Sequence, residues 1–211
     1  MKATSLSLLK PVLLSATLCL IPLANSQAHE SGDWLLKVGV TNVSPKSNNG
    51  SLANGTVDLD VKSSTRPSFS ITYMATKNIG VELLGALPFK HSLNSNLGNI
   101  GETKQLPPTL SLQYHFLPDN TIQPYVGVGL NYTHFFSTKA GGALAGNDLK
   151  IKNSWGLAAQ VGVDVSLNKN WFLNADVRYI NIRPDVQLNG QSIGKAKINP
   201  WVTTVGVGYR F

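Results

Sequence analysis

The sequence predicts an all-β fold, an eight-stranded antiparallel transmembrane β-barrel with short periplasmic turns and long external loops. Three observations predict it. In the last eleven residues, Trp201 to Phe211, the odd positions Trp201, Thr203, Val205, Val207, Tyr209 and Phe211 are bulky, β-branched or aromatic. The even positions Val202, Thr204, Gly206, Gly208 and Arg210 are mostly small or polar. That period of two marks a strand with one greasy face, and terminal aromatics on that face suit a membrane barrel better than a soluble sandwich. Secondly, the same alternation recurs through the chain in segments near the ~9–11 residues that a tilted spanning strand needs. Thirdly, the connections alternate between short and long, as they do in barrels whose turns lie on one side of a membrane and loops on the other.

The segments follow in order. Asp33 to Val43 sets Trp34, Leu36, Val38 and Val40 on one face, and Pro67 to Ala75 does so with Phe69, Ile71 and Tyr73. Ile79 to Phe89 alternates Ile79, Val81 and Leu83 with Gly80, Glu82 and Leu84, and Leu87 and Phe89 continue the greasy set. Pro108 to Phe116 alternates Leu110, Leu112, Tyr114 and Phe116 with polar residues. Pro124 to Phe136, Asn153 to Val165, Trp171 to Ile182 and the terminal strand complete the eight. Short connections are expected at Thr76 to Asn78, Leu117 to Gln123 and Ser166 to Asn170. Long ones are expected at Ser44 to Arg66, Lys90 to Pro107, Ser137 to Lys152 and Arg183 to Pro200. The long ones are rich in Gly, Ser, Asn and Lys, as solvent-exposed loops are.

The start of the chain reads as an export signal. Lys2 and Lys10 precede an apolar run from Pro11 to Ala24, and Asn25-Ser26-Gln27-Ala28 follows. Residues 1–28 are expected to be a cleaved signal peptide and 29–211 one barrel domain. The run is short of the ~20 apolar residues of a spanning helix, and Leu18 before Cys19 is larger than a lipoprotein signal wants. Beyond Ala28 there is no cysteine, so no disulfide or thiol chemistry is expected. The formal charge of +7 falls to +5 once Lys2 and Lys10 are removed. That excess is dispersed, which disfavours nucleic acid and suits an anionic membrane surface. From Glu30 onward nothing is apolar enough for a spanning helix, so a membrane protein here must be a barrel. Both termini would then be periplasmic. Trp34, Tyr73, Tyr114, Phe116, Trp171, Tyr209 and Phe211 would form the inner aromatic belt. Phe89, Tyr132, Phe136 and Trp201 would form the outer belt, with Trp155 facing lipid.

Several runs resemble the OmpW family of outer-membrane proteins, which is related to AlkL-type uptake barrels. They are His29-Glu30, Thr72 to Leu84, Leu106 to Leu110, Pro124 to Thr133, Ser154-Trp155-Gly156, Gln160 to Asp164 and Gly208 to Phe211. The resemblance spans nearly all of 29–211 and is weakest in the loops. It implies an eight-stranded barrel in the outer membrane of a Gram-negative cell that passes small hydrophobic molecules. Arg178 departs from the aromatic found in some relatives.

An eight-stranded barrel has room inside for side chains or one small ligand, so a general porin is excluded. By parity the lumen holds Lys37, Met74, Glu82, Leu84, His115, Tyr125, Gln160, Asp164, Asp176, Arg178, Ile180 and Arg210. Glu82, Asp164 and Arg210 lie toward the periplasmic end and are expected to form a charged plug, because buried charges need partners. Met74, Leu84, Ile180 and Arg178 are the candidate channel-lining residues. A polar plug would turn an apolar solute sideways, and Pro107-Pro108, which cannot donate ladder hydrogen bonds, is the candidate lateral opening.

Catalysis is not expected. Ser111 and His115 share a face but stand about 13 Å apart along a strand, against the ~3 Å that a nucleophile and base require. His91 has no carboxylate beside it in sequence, His134 faces outward, and His29 alone is one ligand, not a metal site. No cofactor is expected. The expected partners are outer-membrane lipid and lipopolysaccharide, small apolar solutes, and barrel-assembly machinery through the terminal strand ending on Phe211. A monomer is expected, since a closed barrel leaves no free edge. The alternative function is a non-transporting surface barrel whose loops bind phage, toxin or host.

Overall fold

Alternation in the sequence becomes pairing in the computed structural model, which describes residues 29–211; the expected leader lies outside the described residues. The long strands are β1 (Trp34–Ser44), β2 (Ser64–Met74), β3 (Ile79–Ala86), β4 (Thr109–His115), β5 (Ile122–Ala140), β6 (Ser154–Ser166), β7 (Trp171–Ile180) and β8 (Trp201–Arg210). Each pairs antiparallel with the next. Strand β8 then closes on β1, with Val38 opposite Val207 and Gly39 opposite Gly206. The result is a closed eight-stranded barrel with every edge paired. Three short turns and both ends of the described chain gather at one rim, called the near end; the long connections lie at the far end.

The outward residues form an apolar band. Val38, Phe69, Leu83, Leu112, Val128, Leu157, Val161 and Val205 are all exposed, Val128 by 65%. No soluble monomer leaves so large an apolar face bare. Aromatic pairs border the band: Trp34 against Tyr73 and Trp171 against Tyr209 at the near end, Tyr132 against Trp155 and Tyr179 against Trp201 at the far end. From Trp171 to Tyr179 the strand covers about 26 Å, or roughly 20 Å across the membrane at ~40° tilt, close to the band height of such barrels. Tyr179 is thus a belt residue that the sequence reading left out.

Phe89 corrects another assignment. It is 1% exposed and points inward. Strand β3 ends at Ala86, and after Leu87-Pro88 a new strand, Phe89–Ser95, begins. Across that break the alternation inverts: Glu82 and Leu84 point inward at even positions, Phe89, His91 and Leu93 at odd ones. A one-residue shift of this kind sends every later side chain to the other face, and parity counted straight through the proline cannot detect it.

The long connections are not irregular loops. Phe89–Ser95 and Gly98–Leu106 make a hairpin that continues the β3–β4 pair, and its second strand pairs with the outer part of β5. Strands Val57–Val61 and Ser51–Leu52 extend that sheet. Leu149–Ile151, Asp185–Leu188 and Gln191–Lys195 form a separate three-stranded sheet. The signal lay within the polar segments: Val57-Asp58-Leu59-Asp60-Val61 alternates as strictly as any barrel strand. Outward positions carry Lys90 and Glu102, 2.6 Å apart, as befits surface beyond the lipid.

Two lumenal contacts show why glycine is required locally. A Cβ at Gly162 would stand 2.3 Å from the Tyr125 ring, and one at Gly208 would stand 2.1 Å from Phe172. Each ring lies over its cross-strand glycine partner.

Candidate functional site: a charged layer beneath an apolar chamber

All twelve residues assigned to the lumen by parity are buried, and the structure arranges them in layers. At the near end Leu35, Met74 and Phe172 pack as an apolar floor. His29, His115 and Tyr125 lie beside it, with the His115 and Tyr125 rings stacked at 4.9 Å. Arg210 lies 3.7 Å from Asp33.

Above this floor runs the charged layer. The Arg178 guanidinium donates to Glu82 Oε1 at 2.9 Å and lies 3.2 Å from Asp176 Oδ1. Lys37 Nζ is 3.8 Å from Glu82 Oε2, 3.6 Å from Asp164 Oδ2, and 4.7 Å above the Tyr125 ring. Asn174 donates to Asp164 Oδ1 at 2.7 Å and to the Tyr125 hydroxyl at 3.0 Å. Ser70 donates to Glu82 Oε2 at 3.2 Å. Strands β1, β2, β3, β5, β6 and β7 all contribute, so the network crosses the lumen. Buried charges persist when cations and carboxylates satisfy one another in this way. The remaining space there is about 20 Å³, room for about one water molecule and for no larger solute.

Beyond the layer the lumen turns apolar. Leu84, Phe89, Ile180, Ile182 and Val202 surround a narrow niche that also touches Pro107. The same apolar cluster continues outward through Leu59, Leu93, Ile100, Ile151 and Val186 into the far-end hairpins. There a cavity of about 70 Å³ is lined wholly by aliphatic side chains, Leu52, Leu144, Leu149 and Ile193 among them.

The candidate residues named from sequence therefore separate. Glu82 and Asp164 meet through Lys37, whereas Arg210 lies toward Asp33. Leu84 and Ile180 share the niche; Met74 sits on the opposite side of the charged layer, and Arg178 is part of that layer. Lys37 had no role in the sequence reading, although a lysine on the inward face of the first strand was its signal. Ser111 and His115 remain four positions apart on β4, and His115 Nε2 meets Gln113 Oε1 at 3.0 Å rather than a nucleophile.

Pro107-Pro108 separates Gly98–Leu106 from β4. Directly across, Leu87-Pro88 separates β3 from Phe89–Ser95. The ladder between these two chain segments stops at Leu84 opposite Thr109 and resumes at Phe89 opposite Gln105. Pro88, which sequence reasoning passed over, is thus half of the same interruption. On the other side Asn131 of β5 donates to the carbonyl oxygens of Pro107 and Pro108, both at 3.1 Å. The amide N–H of Tyr132 donates to Pro108 O at 3.0 Å.

Comparison with known proteins agrees with this architecture. The profile of the OmpW family matches residues 30–211. Outer membrane protein W of Vibrio cholerae is 44% identical over 87% of this chain and 91% of its own length. Outer membrane protein AlkL of Ectopseudomonas oleovorans is 33% identical over 89% of this chain and 86% of its own. The crystal structure of the outer membrane protein OprG from Pseudomonas aeruginosa superposes with a TM-score of 0.80 at 33% identity, covering 88% of this chain and 98% of that one. The chain belongs to the OmpW family and is an outer-membrane β-barrel.

Proposed function

We propose that this barrel passes small hydrophobic molecules from the medium into the outer membrane, releasing them sideways. In this reading residues 1–28 direct export, the hairpins face outward and both termini are periplasmic. A solute enters the aliphatic far-end cavity, moves toward Leu84 and Ile180, and stops at the charged layer, where an apolar molecule gains nothing and would have to part ion pairs. It leaves at the ladder gap between Leu87-Pro88 and Pro107-Pro108, where Pro107 borders the niche. The observation that carries the reading is this sequence of spaces: an aliphatic chamber, a charged floor, and an unpaired stretch of wall at the level between them. The far-end cavity is about 70 Å³, half of the ~150 Å³ that takes up benzene, so the hairpins must part to admit a solute.

Uptake of an apolar fluorescent probe into cells with and without the protein tests transport, and the double variant Pro107→Val/Pro108→Thr tests the exit. Restored ladder donors should lower uptake several-fold with the barrel intact. Unaltered uptake counts against the lateral route. Equal uptake by cells lacking the protein counts against transport altogether, and favours the surface role.

A further inference from the structure

We propose that His29, His115 and Asp164 form a site for one divalent first-row metal ion, of the Zn²⁺ or Co²⁺ type, at the near end of the lumen. Their ligating atoms all lie within 4.8 Å of one another, and all three side chains are completely buried. Burial of this depth ordinarily brings hydrogen bonds. Instead, both ring nitrogens of His29, Nδ1 of His115 and Oδ2 of Asp164 lack hydrogen-bond partners. His29 Nε2 stands 3.6 Å from Asp164 Oδ2, too far for a hydrogen bond. It is close to the ~3.3 Å separating two ligand atoms that each lie ~2.0–2.1 Å from a tetrahedral ion.

The surrounding groups hold the donors as metal ligands are held. When His115 Nε2 donates to Gln113 Oε1, at 3.0 Å, the lone pair of Nδ1 is left for an ion. Asp164 Oδ1 is occupied by Asn174 at 2.7 Å, which leaves Oδ2 free to ligate. Such outer partners fix the orientation and tautomer of ligands at known metal centres. Two imidazoles and one carboxylate favour a borderline first-row ion over Mg²⁺ or Ca²⁺, which prefer oxygen alone. A leader cut after Ala28 would free an α-amino group on His29 itself as a further donor. The opposing feature is Lys37, whose ammonium is 3.6 Å from Asp164 Oδ2 and competes with the ion for that oxygen.

The competition supplies the test. The barrel, chelator-stripped in detergent micelles, is titrated with Co²⁺ and followed by its visible d–d absorption. One equivalent should bind with the spectrum of a four- or five-coordinate ion. His115→Gln and Asp164→Asn should each weaken binding at least ~10-fold. Lys37→Met should tighten it, a direction that misfolding cannot mimic, so the proposal stays testable if a ligand variant fails to fold. Zn²⁺ should raise the unfolding midpoint of the parent barrel and leave that of folded His115→Gln unmoved. Co²⁺ binding that ignores both ligand variants would place the ion on the His29 end alone and overturn the site. So would absence of 1:1 binding at millimolar Co²⁺, or weaker binding in Lys37→Met.

Discussion

Replacing Glu82 by Gln removes one charge from the layer with almost no change of shape. Glu82 is buried and touches Arg178 at 2.9 Å, Lys37 at 3.8 Å and the Ser70 hydroxyl at 3.2 Å. Breaking a buried ion pair from one side costs about 3–5 kcal/mol, because the other charge is left uncompensated. Here neither cation is stranded, since Arg178 keeps Asp176 at 3.2 Å and Lys37 keeps Asp164 at 3.6 Å. The loss should therefore be near the low end, about 3 kcal/mol. Arg178→Met deprives two carboxylates of their closest cation at once and should cost nearer 5 kcal/mol. The double variant removes the pair together and should cost less than the sum, by about 2 kcal/mol. Denaturant unfolding in lipid vesicles, read from fluorescence of Trp34, Trp155, Trp171 and Trp201, gives each value from the midpoint and slope. A Glu82→Gln loss below ~1 kcal/mol, or additivity of the two changes within ~0.5 kcal/mol, would refute the idea of a mutually dependent layer.

Other perturbations separate the regions. Arg210→Gln should cost about 1 kcal/mol in the same unfolding assay, a smaller loss than at Glu82, because Asp33 is only partly buried; an equal loss would argue against that ranking. Gly162→Ala drives a methyl into the Tyr125 ring and should cost about 1–3 kcal/mol, recovered in part by Tyr125→Leu. Val128→Lys, at mid-height on the lipid face, should cost about 2–4 kcal/mol in vesicles, and no loss would contradict membrane burial there. In the far-end hairpin, burial holds the His91 imidazole below its ordinary value, opposed by its contact with the Lys62 carbonyl at 2.6 Å. The unfolded chain therefore takes up more protons as pH falls through about 6.5, so acidification should loosen the hairpins. Lower amide protection factors at pH 5 than at pH 7.5, with the intrinsic base-catalysed rate divided out, would register this, and His91→Gln should reduce the difference.

The barrel itself was legible because lipid outside and a filled lumen inside force a strict period of two, and all eight strands were found within a few residues of their ends. Layering within the lumen was not. Parity says which side chains point inward, but height and partner depend on strand stagger, which placed Arg178 rather than Arg210 against Glu82. The hairpins escaped because segments such as Val57–Val61 are short and embedded in Gly, Asn and Ser, whose solubility masks an apolar lining. His29 looked like a lone ligand because its companions lie 86 and 135 positions away in the chain, a separation that only barrel closure removes.

Strand β5 runs unbroken for 19 residues from the near rim to beyond the membrane, and Asn131 clasps both proline carbonyls to it. The interruption is therefore latched along both jambs, since on the other side the Leu87 N–H donates to Pro67 O at 3.1 Å and Arg66 Nε donates to Pro88 O at 3.2 Å, which ties that segment to β2. Widening at this height would carry each proline segment along with the strand that holds it, so the distance between spin labels at Leu87 and Leu130 should lengthen.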